Sequence, residues 1–173
     1  MTQFAPDEPH AHGRVDALVR VRRALLADVP GLAVVAATRG VLPEGFEARA
    51  SAWVVDPLRR VLVADRAGLV VGWAMLAPWA GYEDVPDGQY VSALTVHPAR
   101  RRTGVGSRLL GDVVSQKRPP RVPVRSVVNA RNAPSLALHA ALGFREVRRA
   151  PTLARIGFDG GTGVLLERRE DEA

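Results

Sequence analysis

The chain has 173 residues, 47% of them apolar and 24% charged, which is the composition of one ordinary globular domain with room for a core. Its net charge is +6, yet all but one of its 24 basic residues are arginine. They are scattered without any DNA- or RNA-reading signature, so no nucleic-acid partner is expected. The lack of cysteine excludes disulfides, thiolate metal sites and a cysteine nucleophile.

No apolar run approaches the roughly 18 residues of a membrane span, so no membrane partner is expected either. Residues 1–14 read as a polar, disordered tail without the basic-then-apolar order of a secretory signal. Residues 15–169 read as a single domain and 170–173 as a frayed end. The expected setting is cytoplasmic. The positive balance favours an anionic small molecule, and a homodimer is left open.

In chain order, Ala17–Ala24 alternates apolar and basic residues and predicts a half-buried strand. Residues 26–40 predict a helix with Asp28 as N-cap and Gly40 as stop. Residues 43–60 predict a second helix, broken near Pro57. Two strands, 60–68 and 69–79, form a hairpin through Asp65–Gly68. Gln89–His97 is a strand halted at Pro98, and 103–117 is a helix with Val105, Leu109, Leu110, Val113 and Val114 on one side. A loop at 117–123, a strand at 124–130, a helix at 133–143 ended by Gly143, and strands at 144–150 and 161–169 complete the chain. This order implies a mixed α/β sheet. The strand–helix–strand unit from Gln89 to Ala130 is its parallel crossover.

The stretch HPARRRTGVGSRLL (His97–Leu110) stands between a strand and a helix start. Gly104 and Gly106 are placed where helix N-terminal N–H groups are unpaired, and lacking Cβ atoms they let an anion approach. A lone Gly-x-Gly is weak, since a tight turn explains it equally well. A phosphate-binding P-loop needs Gly-x-x-x-x-Gly-Lys-Ser/Thr, which is absent. A dinucleotide fingerprint needs a glycine where Leu109 stands and an acidic residue near Val124–Ser126. Both nucleotide readings fail.

The longer constellation resembles the GCN5-related N-acetyltransferase (GNAT) family. Arg101-Arg102-Thr103-Gly104-Val105-Gly106 matches that family's acyl-CoA loop, and Asn132, Ser135, His139, Leu142, Gly143 and Phe144 match its second signature. The helix, together with GWAMLAPW (Gly72–Trp79), also leans towards the phosphinothricin acetyltransferase-like subgroup, although Gln89–His97 lacks that subgroup's strand carboxylate. The resemblance implies a mostly antiparallel central sheet with helices on both faces, and acetyl-CoA as co-substrate. It implies that the N–H groups from Arg102 to Ser107 cradle the diphosphate, with Arg100, Arg101 or Arg102 pairing to phosphate. It further implies that the Leu94–Val96 strand splays from its neighbour, and that main-chain groups of Leu94 and Val96 hold the pantetheine arm.

Acetyl transfer to an amine needs an unprotonated amine, a stabilised oxyanion and a proton for the departing thiolate. In the family, Asn at position 132 serves the cofactor and a Tyr at position 139 serves the sulfur; here that position is His139. Asn132, Ser135 and His139 lie on one helical stripe, with Asn132 also suited to capping the helix ahead of Pro134. By the resemblance, Asn132 and Ser135 are expected to bind the cofactor and His139 to donate the proton. Trp79, Tyr82, Glu83 and Asp84 form an acidic, aromatic loop expected to meet a small-molecule amine acceptor, such as a cationic amine or an amino-acid analogue. The general base is unassigned. His10, His12 and His97 offer no metal-ligand spacing, so no metal is implied. A non-catalytic acyl-CoA-binding module on the same fold is the alternative.

Overall fold

The computed structural model describes residues 15–115 and 122–169. The expected tails, and most of the loop expected at 117–123, lie outside these residues. The elements are β1 (Val19–Arg23), α1 (Val29–Ala37), α2 (Phe46–Val55), β2 (Arg60–Arg66), β3 (Leu69–Trp79), β4 (Gly88–Val96), α3 (Val105–Val114), β5 (Val124–Asn129), α4 (Ala133–Ala141), β6 (Arg145–Ala150), β7 (Thr152–Leu153), β8 (Ile156–Gly157) and β9 (Gly163–Arg168). Seven strands form one sheet in the order β1-β2-β3-β4-β5-β9-β6. Every neighbouring pair is antiparallel except β4 and β5, which are joined through α3. Among the described residues no helix is long and apolar enough to cross a membrane.

Helices cover both faces because the strands carry apolar side chains on both. On one face Val29, Leu32 and Val35 of α1 and Ala50 of α2 bury Val61, Val63, Trp73 and Met75. On the other, the α3 stripe of Val105, Leu109, Leu110, Val113 and Val114 is wholly buried against Leu62, Ala74, Leu76, Val91 and Val124. The β2–β3 turn places Ala67 and Gly68 at φ 52° and 84°, the left-handed pair of a tight hairpin. Asp65 Oδ1 closes it by accepting from Gly68 N–H at 2.9 Å.

Two local expectations change. Asp28 occupies the N-cap position of α1 but its side chain does not cap the helix. Its carboxylate instead accepts from Leu25 N–H at 2.7 Å and from both terminal nitrogens of Arg22 at 2.6 and 2.8 Å. Arg22 also reaches Asp65 at 2.8 Å. A buried carboxylate beside a guanidinium gains more from a charge-assisted pair than from one amide, and the hydrogen bonds from Arg22 hold Asp28 below the usual carboxylate range. The second change is an additional small ribbon, β7–β8, too short to show an alternation in sequence.

The feature that makes the site lies in β4. Its register against β3 shifts: Met75 faces Ala93 while Leu76 faces Val91, so Ser92 is an extra, bulged residue. A bulge bends its strand and tightens the local twist. Pairing between β4 and β5 ends at Val91–Ser126, although β4 runs on to Val96 and β5 to Asn129. Beyond Ser92 the two parallel strands part.

Candidate active site

The loop before α3 turns back through two left-handed residues, Arg102 at φ 62° and Gly104 at φ 79°. Gly104 is therefore required for its backbone conformation rather than for space. The first bond of α3 runs from Arg108 N–H to Gly104 C=O, so the N–H groups of Val105, Gly106 and Ser107 lie outside the helix's own ladder. Together with the helix dipole they form an anion-attracting end. Gly106 serves another purpose. A Cβ there would stand 3.3 Å from Leu138 Cδ2 and 3.8 Å from Val96 Cγ2, so its bare face lets α4 pack closely on α3 beside β4. Thr103 Oγ1 donates to Arg100 C=O at 2.7 Å, bracing the loop. Arg100 and Arg101 are half-buried and Arg102 is exposed.

The main chain of β4 is divided between two sides. His97 N–H bonds Val71 C=O, so by antiparallel alternation Ala93 and Thr95 use their backbone groups on β3. Leu94 and Val96 turn theirs towards the space vacated by β5. Val96 C=O, on that side, accepts from Arg101 Nε at 3.4 Å.

Across the gap stands α4. Asn132 is its N-cap, with Oδ1 accepting from Ser135 N–H at 3.1 Å, and Pro134 sits in its first turn. His139 is 2% exposed, packed edge-on to Phe144 at 4.9 Å between ring centres. Its Nδ1 lies 2.8 Å from Ser135 C=O and 3.4 Å from Ser135 Oγ. A carbonyl oxygen only accepts, so Nδ1 carries the hydrogen and neutral His139 holds a bare lone pair at Nε2. Nε2 is buried and has no hydrogen-bond partner among the described residues. Burial pushes the imidazole pKa below its ordinary value, opposed only by the Ser135 carbonyl. The expected role as a resting proton donor does not fit this tautomer: the nitrogen left for chemistry is an acceptor.

A cleft of about 80 Å³ opens where β4 and β5 part, running between Val91–Leu94 and Ser126–Val128. Ser135 and His139 line it from the α4 side, and Arg39 lines it from the α1–α2 side. Arg39 is half-buried, and its Nη1 donates to Thr95 Oγ1 at 3.2 Å. Nothing in the sequence separates Arg39 from the other arginines, because its importance comes from where the turn after α1 places it. Ser92 was equally silent, since an alternating strand conceals a one-residue bulge.

The acidic loop is not brought to the cleft. Both carboxylate oxygens of Asp84 accept from Ala154 N–H, at 3.0 and 2.9 Å, pinning the β7–β8 turn where Ala154 itself has φ 51°. Trp79 stacks on the buried Tyr90 ring at 4.4 Å. Tyr82 lies under the Arg155 guanidinium at 5.9 Å. Glu83 is exposed. Trp79, Tyr82 and Asp84 thus hold the β3–β4 connection and the β7–β8 ribbon in place, and none of the four lines the cleft with Arg39 and His139.

Residues 32–144 match the Acetyltransferase (GNAT) family, a span that contains the Gly104–Ser107 loop, the bulged strand and α4. The chain belongs to the GNAT acetyltransferase family. A curated relative of this acetyltransferase-family chain is the L-methionine sulfoximine/L-methionine sulfone acetyltransferase of Salmonella typhimurium, 29% identical over 94 residues. The alignment covers 53% of this chain and 53% of the relative, so the chain spans about half the length of the curated relative it matches. Among solved structures, a ribosomal-protein-alanine N-acetyltransferase from Brucella melitensis is similar with a TM-score of 0.70 and 25% identity, covering 87% of this chain and 99% of that one. A GNAT superfamily phosphinothricin acetyltransferase from Sinorhizobium meliloti, solved in complex with acetyl-CoA, gives a TM-score of 0.68 at 20% identity, with 88% of each chain covered. At that identity the likeness concerns the fold.

Proposed function

We propose that this chain moves an acetyl group from acetyl-CoA to the primary amine of a small molecule, and that the acceptor is of amino-acid type. The observation carrying the reading is the parting of β4 from β5 at Ser92, directly beside a helix N-terminus with free N–H groups. The fit is physical: the α3 N-terminus suits a diphosphate, and beyond Ser92 the main chain of Leu94 and Val96 has no strand partner on the β5 side. The Salmonella relative, which acts on amino-acid analogues, and the likeness of α4 to the phosphinothricin subgroup support the acceptor class.

Acetyl-CoA supplies an acyl group activated on sulfur. In this reading the N–H groups of Val105, Gly106 and Ser107, with Arg101 or Arg102, bind the diphosphate. Main-chain groups of Leu94 and Val96 align the pantetheine arm as a missing strand and polarise the reacting carbonyl. Asn132 and Ser135 order the start of α4. His139 takes up at Nε2 the proton shed by the attacking nitrogen, and the Nδ1–H bond to Ser135 C=O steadies the imidazolium so formed. The same proton is then available to the departing sulfur. His139 thus acts first as base and only then as acid.

No carboxylate lines the cleft among the described residues, and this favours the second reading, an acyl-CoA-binding module without turnover. Thiol release from acetyl-CoA across an amine panel, with acetyl-CoA binding measured by melting, separates the two. Release above the spontaneous rate with L-methionine sulfone supports the enzyme. Binding with no release from any amine supports the module.

A further inference from the structure

The cleft passes through the sheet, and its two ends differ in charge. At the α4 end stands a neutral imidazole; at the α1–α2 end stands a guanidinium. Among the described residues the Arg39 side chain makes one hydrogen bond, to the neutral Thr95 hydroxyl, and no carboxylate pairs with it. Three arginines of the sheet do have carboxylate partners: Arg22 with Asp28 and Asp65, Arg66 with Asp16, and Arg125 with Glu167. Arg60 of β2 does not, and its Nε is buried without a hydrogen-bond partner among the described residues, but it does not line the cleft as Arg39 does. Burial, and next the charge of Arg101, work against the guanidinium of Arg39. A half-buried cation with donors unfilled, facing an open cleft, is incomplete until an anion arrives.

We propose that Arg39 receives the carboxylate of the acceptor, making this a site for amino acids bearing a free carboxylate rather than for simple or cationic amines. The inference rests on the acetyl-transfer reading above. It also replaces the expectation of a cationic acceptor, because the charge that faces the cleft is positive. A guanidinium offers parallel N–H donors that match a carboxylate's two oxygens. Anchoring the carboxylate at Arg39 points the amine attached near it back along the cleft towards the His139 end. It also neutralises the carboxylate's pull on the ammonium, so the amine loses its proton more readily. In a cleft without carboxylates this substitutes for part of the work of a base.

The test compares L-methionine sulfone with its methyl ester, which keeps the amine and removes the charge. Wild-type protein, Arg39→Gln and Arg39→Lys are each assayed for KM and kcat, and for melting shifts with acetyl-CoA alone and with CoA plus either acceptor. Wild type is expected to show a KM for the free acid at least ten-fold below that for the ester. Arg39→Gln should raise the free-acid KM ten-fold or more and leave the ester unchanged. Arg39→Lys should recover part of the difference, and the acetyl-CoA shift should be the same in all three. Equal KM values for acid and ester in the wild type would overturn the proposal. So would loss of the acetyl-CoA shift in Arg39→Gln, which would assign the guanidinium to the co-substrate. If no amine is acetylated but the free acid still raises the melting temperature of wild type and not of Arg39→Gln, the acetyl-transfer reading fails and the carboxylate site stands.

Discussion

His139→Phe separates chemistry from packing, and the structure sets the expected size of each effect. The ring is 2% exposed, so the replacement must fit the same space, and its edge-on contact with Phe144 is one a phenyl ring can also make. Phenylalanine removes the Nδ1–H bond to Ser135 C=O, a neutral bond worth about 1 kcal/mol. It also removes the unpartnered, buried Nε2, whose missing bond costs about 1–3 kcal/mol in the resting protein. The two terms oppose each other, and the variant should melt within a few degrees of wild type, or above it. The rate should behave quite differently. Loss of a positioned proton-transfer group lowers kcat by about 10²–10⁴-fold, while the acetyl-CoA melting shift should persist. The pH profile provides the second readout. Burial holds the imidazole pKa below 6.5, so wild-type activity should fall only as pH drops through that lowered value, when Nε2 is protonated before it can accept. His139→Phe should lack this limb. For stability, the unfolded chain takes up the proton first on acidification. The neutral ring's contribution is therefore complete above pH 6.5 and is lost as pH falls from there through the folded-state pKa. Single-turnover rates, melting curves and pH profiles of both forms are the assay. A Phe form with wild-type chemistry, or one destabilised by several kcal/mol with activity per folded molecule intact, would show that His139 is a packing residue.

Acetyl-CoA at a hundredfold excess over its Kd should stabilise the wild type by roughly 2.7 kcal/mol. Gly106→Val, which crowds Leu138 and Val96 at the exposed N–H groups of α3, should remove most of that shift, and an unchanged shift would place the diphosphate elsewhere. Asn132→Ala should lower stability by about 1 kcal/mol through loss of the α4 cap, and should weaken acetyl-CoA binding before it slows the chemical step in single turnover. Asp84→Ala should cost about 1–3 kcal/mol by freeing Ala154 N–H. It should leave the ratio of KM values for cationic and neutral amines unchanged; a selective rise for cationic amines would return this loop to the acceptor site.

What the sequence showed and what it concealed divide along a physical line. Repeating patterns were legible: the alternation at Ala17–Ala24 became β1, and the α3 stripe was buried residue for residue. Asp65–Gly68 announced its turn because few residue types tolerate that backbone. Single-residue and long-range effects were not legible. The Ser92 bulge leaves both flanking segments looking like strand, so the expected splay had its cause hidden. Asp28 stands at the N-cap but faces Arg22, a partner supplied by tertiary contact. The polar stripe Asn132–Ser135–His139 was visible, yet the tautomer of His139 follows from the carbonyl of its own helix, which no residue letter records. Arg39 became distinctive only through its place on the cleft, with no carboxylate paired to it among the described residues.

The divergence at Ser92 also affects how the molecule holds together. Among the described residues, strands β1–β4 and strands β5, β9 and β6 are joined in the sheet only by the pairs Gln89–Val124, Tyr90–Arg125 and Val91–Ser126. A ladder this short makes the junction a natural line for partial opening, along which amide protons of Leu94 and Val96 meet solvent more often than those of the paired strands. A molecule lying in the gap as a substitute strand would suture the two half-sheets, so cohesion of the domain and occupancy of the site become two readings of one equilibrium.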